Sequence, residues 1–209
     1  MNIKMIRTRL FCLAISILTI SCRAQQSKTI GGACQGCEAI HEYENKKLSP
    51  VDTLPGFYNN TPRLKISGTV FKKDGETFAE NVILYIYHTN RHGIYEKKEK
   101  ESGWGKIHGY NRGWIKTGKN GNYTFYTFKP AAYPNRSEPE HIHLIVKEPH
   151  INEYYLDSYF FLDDPLLTPN KKEKLTNRGG SGITKPTINN GILSIKRDII
   201  LGRNIPNYK

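Results

Sequence analysis

The chain has 209 residues, with 31 Lys and Arg against 19 Asp and Glu, a formal net charge of +12 and 37% hydrophobic residues. That is enough chain and enough apolar content for one domain with extensions, which excludes a wholly disordered protein. The positive excess reads as a solvated, Lys-rich surface, since net charge speaks to solubility and loose association rather than to fold.

The first segment reads as an export signal. Lys4, Arg7 and Arg9 precede an apolar run from Leu10 to Ile20. Such a run is too short to cross a bilayer comfortably and suits a signal-peptide core. Two exits are open: cleavage after Ala24, in the small-x-small pattern Cys22-Arg23-Ala24, or lipidation of Cys22, which would leave a lipid anchor. Either way the expected location is the periplasm, the cell envelope or the medium. Loss of residues 1–24 removes four cations and no acid, lowering the net charge from +12 to +8. Nucleic acid is excluded as a partner by export, while anionic small molecules would still be attracted.

Residues 25–62 are polar, rich in Gly, Asn and Pro, and without periodicity, so they read as an extended N-terminal arm. The arm carries Cys34 and Cys37 in "CQGC". No second Cys pair follows, which excludes a four-cysteine zinc site within one chain. Outside the cytoplasm the spacing favours a local disulfide, which would shape its loop and add little stability.

From Leu64 the pattern changes to short alternating or β-branched segments: "LKISGTVF", "NVILYIYHT", "NYTFYTFKP", "HIHLIVKE", "YYLDSYFFL" and "ILSIKRDIIL". Gly, Asn, Asp and Pro turns separate them. This predicts an all-β domain over 63–209, an antiparallel β-sandwich with long loops. The one helix candidate starts at Thr168 and Pro169 in "TPNKKEKLTN".

The chemistry gathers around "YPNRSEPEHIHLIVKEP". Residues two apart on a strand share a face. His141 and His143 therefore lie opposite Ile142, Leu144 and Val146, which face the core. Histidine is the commonest metal ligand, yet His-x-His alone also fits two surface histidines on an edge strand. A cupin-type pattern fits Glu148 but lacks its glycines, whose places hold Asn135 and Tyr155. Two tyrosines lie on neighbouring loops: Tyr133 in a Pro-flanked loop, and Tyr95 on the loop that leaves "NVILYIYHT".

The ordered series "GIY", "RGWIKTGKNGNYTFYTFKP", "YP" and "HIH", running from about Ile66 to Leu166, resembles the intradiol ring-cleavage dioxygenases, in an exported branch. The resemblance implies a mononuclear non-haem Fe(III) site. Tyr95 and His143 would be its equatorial ligands, and Tyr133 and His141 its axial ones. It implies that a small catechol-type diol and O2 are the substrates, that Tyr133 yields its place to the diol, and that a muconate-type diacid is the product. This sequence departs from the family around those ligands. Glu138 stands where an arginine is usual, Ser158 where a glutamine is, and Tyr85 where an acid is. Arg136 and Arg112 are the two candidates to replace the missing charge-stabilising arginine. The rival class is a non-catalytic, transthyretin-like β-sandwich binding module of the cell envelope.

Overall fold

The computed structural model describes residues 29–209; the stretch on which the expected export signal and Cys22 fall lies outside the described residues. In chain order the strands are β1 (Val51–Thr53), β2 (Arg63–Phe71), β3 (Ile83–Tyr87), β4 (Arg112–Lys116), β5 (Asn122–Phe128), β6 (His141–Lys147), β7 (Tyr154–Phe161), β8 (Ile183–Thr184), β9 (Thr187–Asn189), β10 (Ile192–Lys196) and β11 (Ile199–Ile200). Two short helices, α1 (Gly105–His108) and α2 (Pro169–Glu173), interrupt the loops. One sheet runs β1-β5-β2-β10-β9 with β11 also on β2, and the other runs β4-β3-β6-β7-β8.

Alternation builds both sheets. Along β2, Leu64, Ile66 and Val70 are buried while their neighbours are half-exposed. On β5, Tyr123 and Phe125 point the same way, and Leu84, Ile86, Ile142, Leu144 and Val146 face them from β3 and β6. Sandwiches bury the inner faces of two sheets in this manner. The central pairings, β2 with β5, β3 with β4 and β6, and β6 with β7, are antiparallel. β1, β8, β10 and β11 join in parallel, a detail that alternation within one strand does not encode.

Two expected elements take a different shape. "ILSIKRDIIL" is two strands, because Arg197 turns inward between them. It is 3% exposed, and its guanidinium donates to the carbonyls of Asp157, Arg178 and Gly180. The helix after Thr168 is present but ends at Glu173; the Thr168 hydroxyl accepts from the Lys171 N–H and Pro169 opens the first turn.

The arm is part of this body. It contributes β1 to the first sheet, and it covers the outer face of the second with a 3-10 turn over Cys37–His41. Cys37, Ala39 and Ile40 pack there against Tyr85, Trp114 and Ile145 as a second apolar layer. Cys34 and Cys37 form the disulfide expected from their spacing, with α-carbons 5.6 Å apart.

One buried group sets a pH dependence. The His88 side chain is fully buried: Nδ1 donates to the Thr89 carbonyl at 2.8 Å and Nε2 accepts from the Thr127 hydroxyl at 2.7 Å. Burial lowers its pKa from 6.5 to about 4. The unfolded imidazole therefore takes up a proton that the folded one refuses. Stability should be complete above about pH 6.5 and decline as the pH falls towards 4, by roughly 3 kcal/mol for this group. Urea unfolding at several pH values should show that slope, and His88→Gln should flatten it.

Candidate metal centre

Four side chains from three segments meet on the outer face of the second sheet. His141 and His143 project from β6 on the side away from Ile142 and Leu144. The pairing with β7 slips beside them: Ile142 lies opposite Tyr159 and Leu144 opposite Leu156, so two residues, Asp157 and Ser158, face His143. Such a bulge bends the ladder and re-aims a side chain, and bulges recur beside active sites.

Tyr95 arrives on the loop after β3. Gly93 lets that loop lie against the Tyr133 segment: its φ is +76°, and a Cβ there would fall 2.1 Å from the Ala132 carbonyl oxygen. Asn90 fixes the loop from within, its side-chain oxygen accepting from the N–H of His92 at 2.9 Å and of Ile94 at 3.2 Å. Its carbonyl accepts from the Ala131 N–H at 3.2 Å, tying the two loops together.

The four donor atoms converge. The Tyr95 hydroxyl lies 2.9 Å from that of Tyr133 and 2.8 Å from His143 Nε2. The Tyr133 hydroxyl is 3.4 Å from His141 Nε2, and the two Nε2 atoms are 3.1 Å apart. His141 Nδ1 lies 2.7 Å from the Pro139 carbonyl, which can only accept. Nδ1 therefore carries the proton and Nε2 turns its lone pair into the cluster.

The electrostatics suit a cation. Burial lowers the pKa of His141, and lowers that of His143 further with help from His141. Burial raises the Tyr95 phenol well above its ordinary range, with the Tyr133 hydroxyl adding to the effect. Without a cation the cluster is neutral, with two imidazole nitrogens and two phenols pressed together. Metal–ligand bonds near ~2 Å place neighbouring donors roughly 3 Å apart, the spacing seen here. Two hard phenolate oxygens with two imidazoles match iron better than a soft metal. Among the described residues no group of three or more His, Cys, Asp and Glu side chains can hold a metal, so the tyrosines are needed to complete the set.

Tyr87, which carried no signal in the sequence, holds this arrangement from the side. It lies directly across from His143 in the β3–β6 ladder, and their rings stack at 4.4 Å. His108 stacks on its other face at 3.8 Å, and the Tyr85 hydroxyl meets His108 Nδ1 at 2.9 Å. Alternation in "NVILYIYHT" places Tyr85 and Tyr87 on the outer face, but only the register makes His143 the neighbour.

The two candidate arginines are placed differently from the four candidate ligands. Arg112 is not brought to the cluster. Glu42 takes its guanidinium at 2.6 Å and Glu101 lies 3.6 Å away, on the wall of a separate cavity. Glu42 is 70 positions earlier in the chain, so local sequence could not reveal the capture. Arg136 is exposed beside Tyr133, in the left-handed region at φ +54°, with its N–H donating to the Tyr133 carbonyl at 2.8 Å. Glu138 turns to solvent and pairs with Lys171 at 3.7 Å. Ser158 lines a cavity of about 380 Å³ that opens against His143 and Tyr87.

A protein-family model described as Dioxygenase matches residues 52–176. The dioxygenase domain of a dioxygenase carbohydrate-binding protein fusion from Streptomyces sp. SirexAA-E aligns with a TM-score of 0.53 at 20% identity, over 76% of this chain and 94% of that one. Chlorocatechol 1,2-dioxygenase from Pseudomonas putida aligns with a TM-score of 0.51 at 20% identity, over 75% and 67%. Catechol 1,2-dioxygenase from Acinetobacter sp. ADP1 gives 0.51 at 20%, over 74% of this chain and only 59% of that one. At these identities the likeness to solved structures is one of fold. No curated protein matches the chain.

Proposed function

The chain belongs to the intradiol ring-cleavage dioxygenase family, and from that premise we propose that it is an exported, ferric-iron-dependent enzyme that opens a catechol-type ring with O2 to a muconate-type diacid. The observation that carries the reading is the convergence of the Tyr95 and Tyr133 hydroxyls with the Nε2 atoms of His141 and His143 within 2.8–3.4 Å. Ferric iron bound there would supply a Lewis acid that takes a catechol as its dianion and makes the ring reactive towards O2.

The chain's own residues do the rest. Pro139 holds His141 in the tautomer that offers Nε2, and Tyr87 fixes the plane of His143 by stacking. Tyr95 and Tyr133 both sit on loops outside the two sheets; in this reading Tyr133 would be the one to swing aside and take up one of the diol's two protons, the other passing to solvent. Asn90 and Gly93 would keep Tyr95 in place while that happens. Arg136, next to Tyr133, supplies positive charge at the mouth. Because it is exposed, its field is screened by solvent. Arg136→Ala should lower kcat/KM for a catechol less than about tenfold with iron content unchanged, against the ~10²–10³ typical of a preorganised donor inside a site.

The test is an absorption spectrum of the iron-loaded protein with and without catechol, together with O2 uptake and product analysis. A visible tyrosinate-to-iron band that shifts on adding catechol, with the diacid formed from O2, is the expected result. A colourless protein after iron loading would favour the transthyretin-like binding module. Colour without O2 uptake would leave an iron-binding protein that does not cleave the ring.

A further inference from the structure

The cavity against His143 is lined by Tyr87 of β3, by β6 from His143 to Ile145, by β7 with Tyr155, Ser158 and Phe160, by Leu175, and by residues 33–35 of the arm. The cavity of about 380 Å³ is of the size of small-molecule sites and exceeds one unsubstituted ring. Its polar lining residues are Gln35, Tyr87, His143, Tyr155, Asp157 and Ser158, and none of the residues lining it is Lys or Arg. The Asp157 carboxylate is already engaged, accepting from the Thr176 hydroxyl and the Asn177 N–H, both at 2.7 Å.

The arm wall is fixed, not loose. Cys34 is bonded to Cys37, and Cys37 is 2% exposed in the outer apolar layer. Gly36 between them has φ +83°, and a Cβ on it would lie 2.7 Å from His108 Nε2. Through His108 and Tyr87 the loop is in packing contact with the ring of His143. Residues 33–35 also precede the stretch 52–176 that carries the family match, so this wall is not set by that shared core.

We propose that the disulfide-held loop, through Gln35, is the specificity-determining wall of the ring site, and that it selects catechols bearing a neutral hydrogen-bonding substituent over those bearing a carboxylate. This rests on the catechol reading of the same site. A substituent carboxylate in this cavity would find no Lys or Arg among the residues lining it, so its desolvation goes uncompensated by a direct ion pair. A hydroxymethyl or similar group finds the amide of Gln35, which both donates and accepts, and the hydroxyl of Ser158.

The experiment compares 4-(hydroxymethyl)catechol with 3,4-dihydroxybenzoate on the iron-loaded native protein, Gln35→Ala and Gln35→Lys. Anaerobic spectral titration gives each dissociation constant, kcat/KM is measured separately, and iron content is recorded for every variant. The native protein should prefer the neutral ring. Gln35→Lys should shift the ratio towards the carboxylate by about ten- to a hundredfold, the scale of one charge-assisted hydrogen bond. Gln35→Ala should weaken the neutral ring about three- to tenfold and leave the carboxylate almost unchanged. A ratio that is the same in all three proteins, or a native preference for the carboxylate, would overturn the proposal while ring binding still stood. Failure of the native protein to bind either ring would instead overturn the catechol reading itself.

Discussion

His143→Ala is expected to bring ring cleavage to background and to leave the protein unable to hold iron through gel filtration. Of the four donors, His143 has the least freedom. Tyr87 stacks on it, the β3–β6 ladder fixes its backbone, and Nε2 lies within 3.1 Å of both Tyr95 and His141. Changing a group that merely supports a ligand typically costs 10–100-fold in metal affinity. Loss of the ligand itself should exceed that range. The imidazole points away from the sandwich core, so far-ultraviolet circular dichroism should be unchanged and separates loss of the centre from loss of fold. Wild-type iron content in this variant would remove His143 from the ligand set.

Tyr95→Phe should have an effect of similar size by a cleaner change, since the ring stays and one oxygen goes. That oxygen touches both the Tyr133 hydroxyl and His143 Nε2. In the metal-free protein the Tyr95 phenol is held protonated by burial and by its neighbours. Binding as phenolate must therefore release a proton. Ferric loading of the native chain near neutral pH should release about two protons from tyrosine, and loading of Tyr95→Phe about one, with affinity lowered at least ~100-fold. Proton release measured in weakly buffered solution checks the count. A visible band of undiminished intensity in Tyr95→Phe would show that Tyr95 is not a ligand.

Part of the candidate centre was legible from local rules: period-two alternation put His141 and His143 on one face. Joining them to Tyr95 and Tyr133 as one ligand set came from the ordered motifs that carry the family resemblance. The short strands and turn residues gave the sandwich. The unread parts depend on pairings between distant segments. Arg112 looked available until Glu42 of the arm claimed it, and Tyr87 became a support for His143 only through the register of β3 on β6. The break in "ILSIKRDIIL" follows from where Arg197 finds carbonyls on other loops, which no window of local sequence contains.

The outer aromatic layer also decides what light emission from this protein reports. The chain has two tryptophans, and both belong to that layer. Trp104 stacks on His108 at 5.3 Å, and Trp114 stacks on Tyr85 at 4.8 Å while its indole N–H donates to the Ala39 carbonyl of the arm. Neither lies between the two sheets, where the aromatic side chains are Tyr and Phe. Tryptophan fluorescence in a denaturant series therefore tracks the docking of the arm, while far-ultraviolet circular dichroism of the two sheets tracks the sandwich. If the arm undocks first, the indole signal should move at a lower denaturant concentration than the backbone signal. If the two curves superimpose, the arm and the sandwich melt as one cooperative unit.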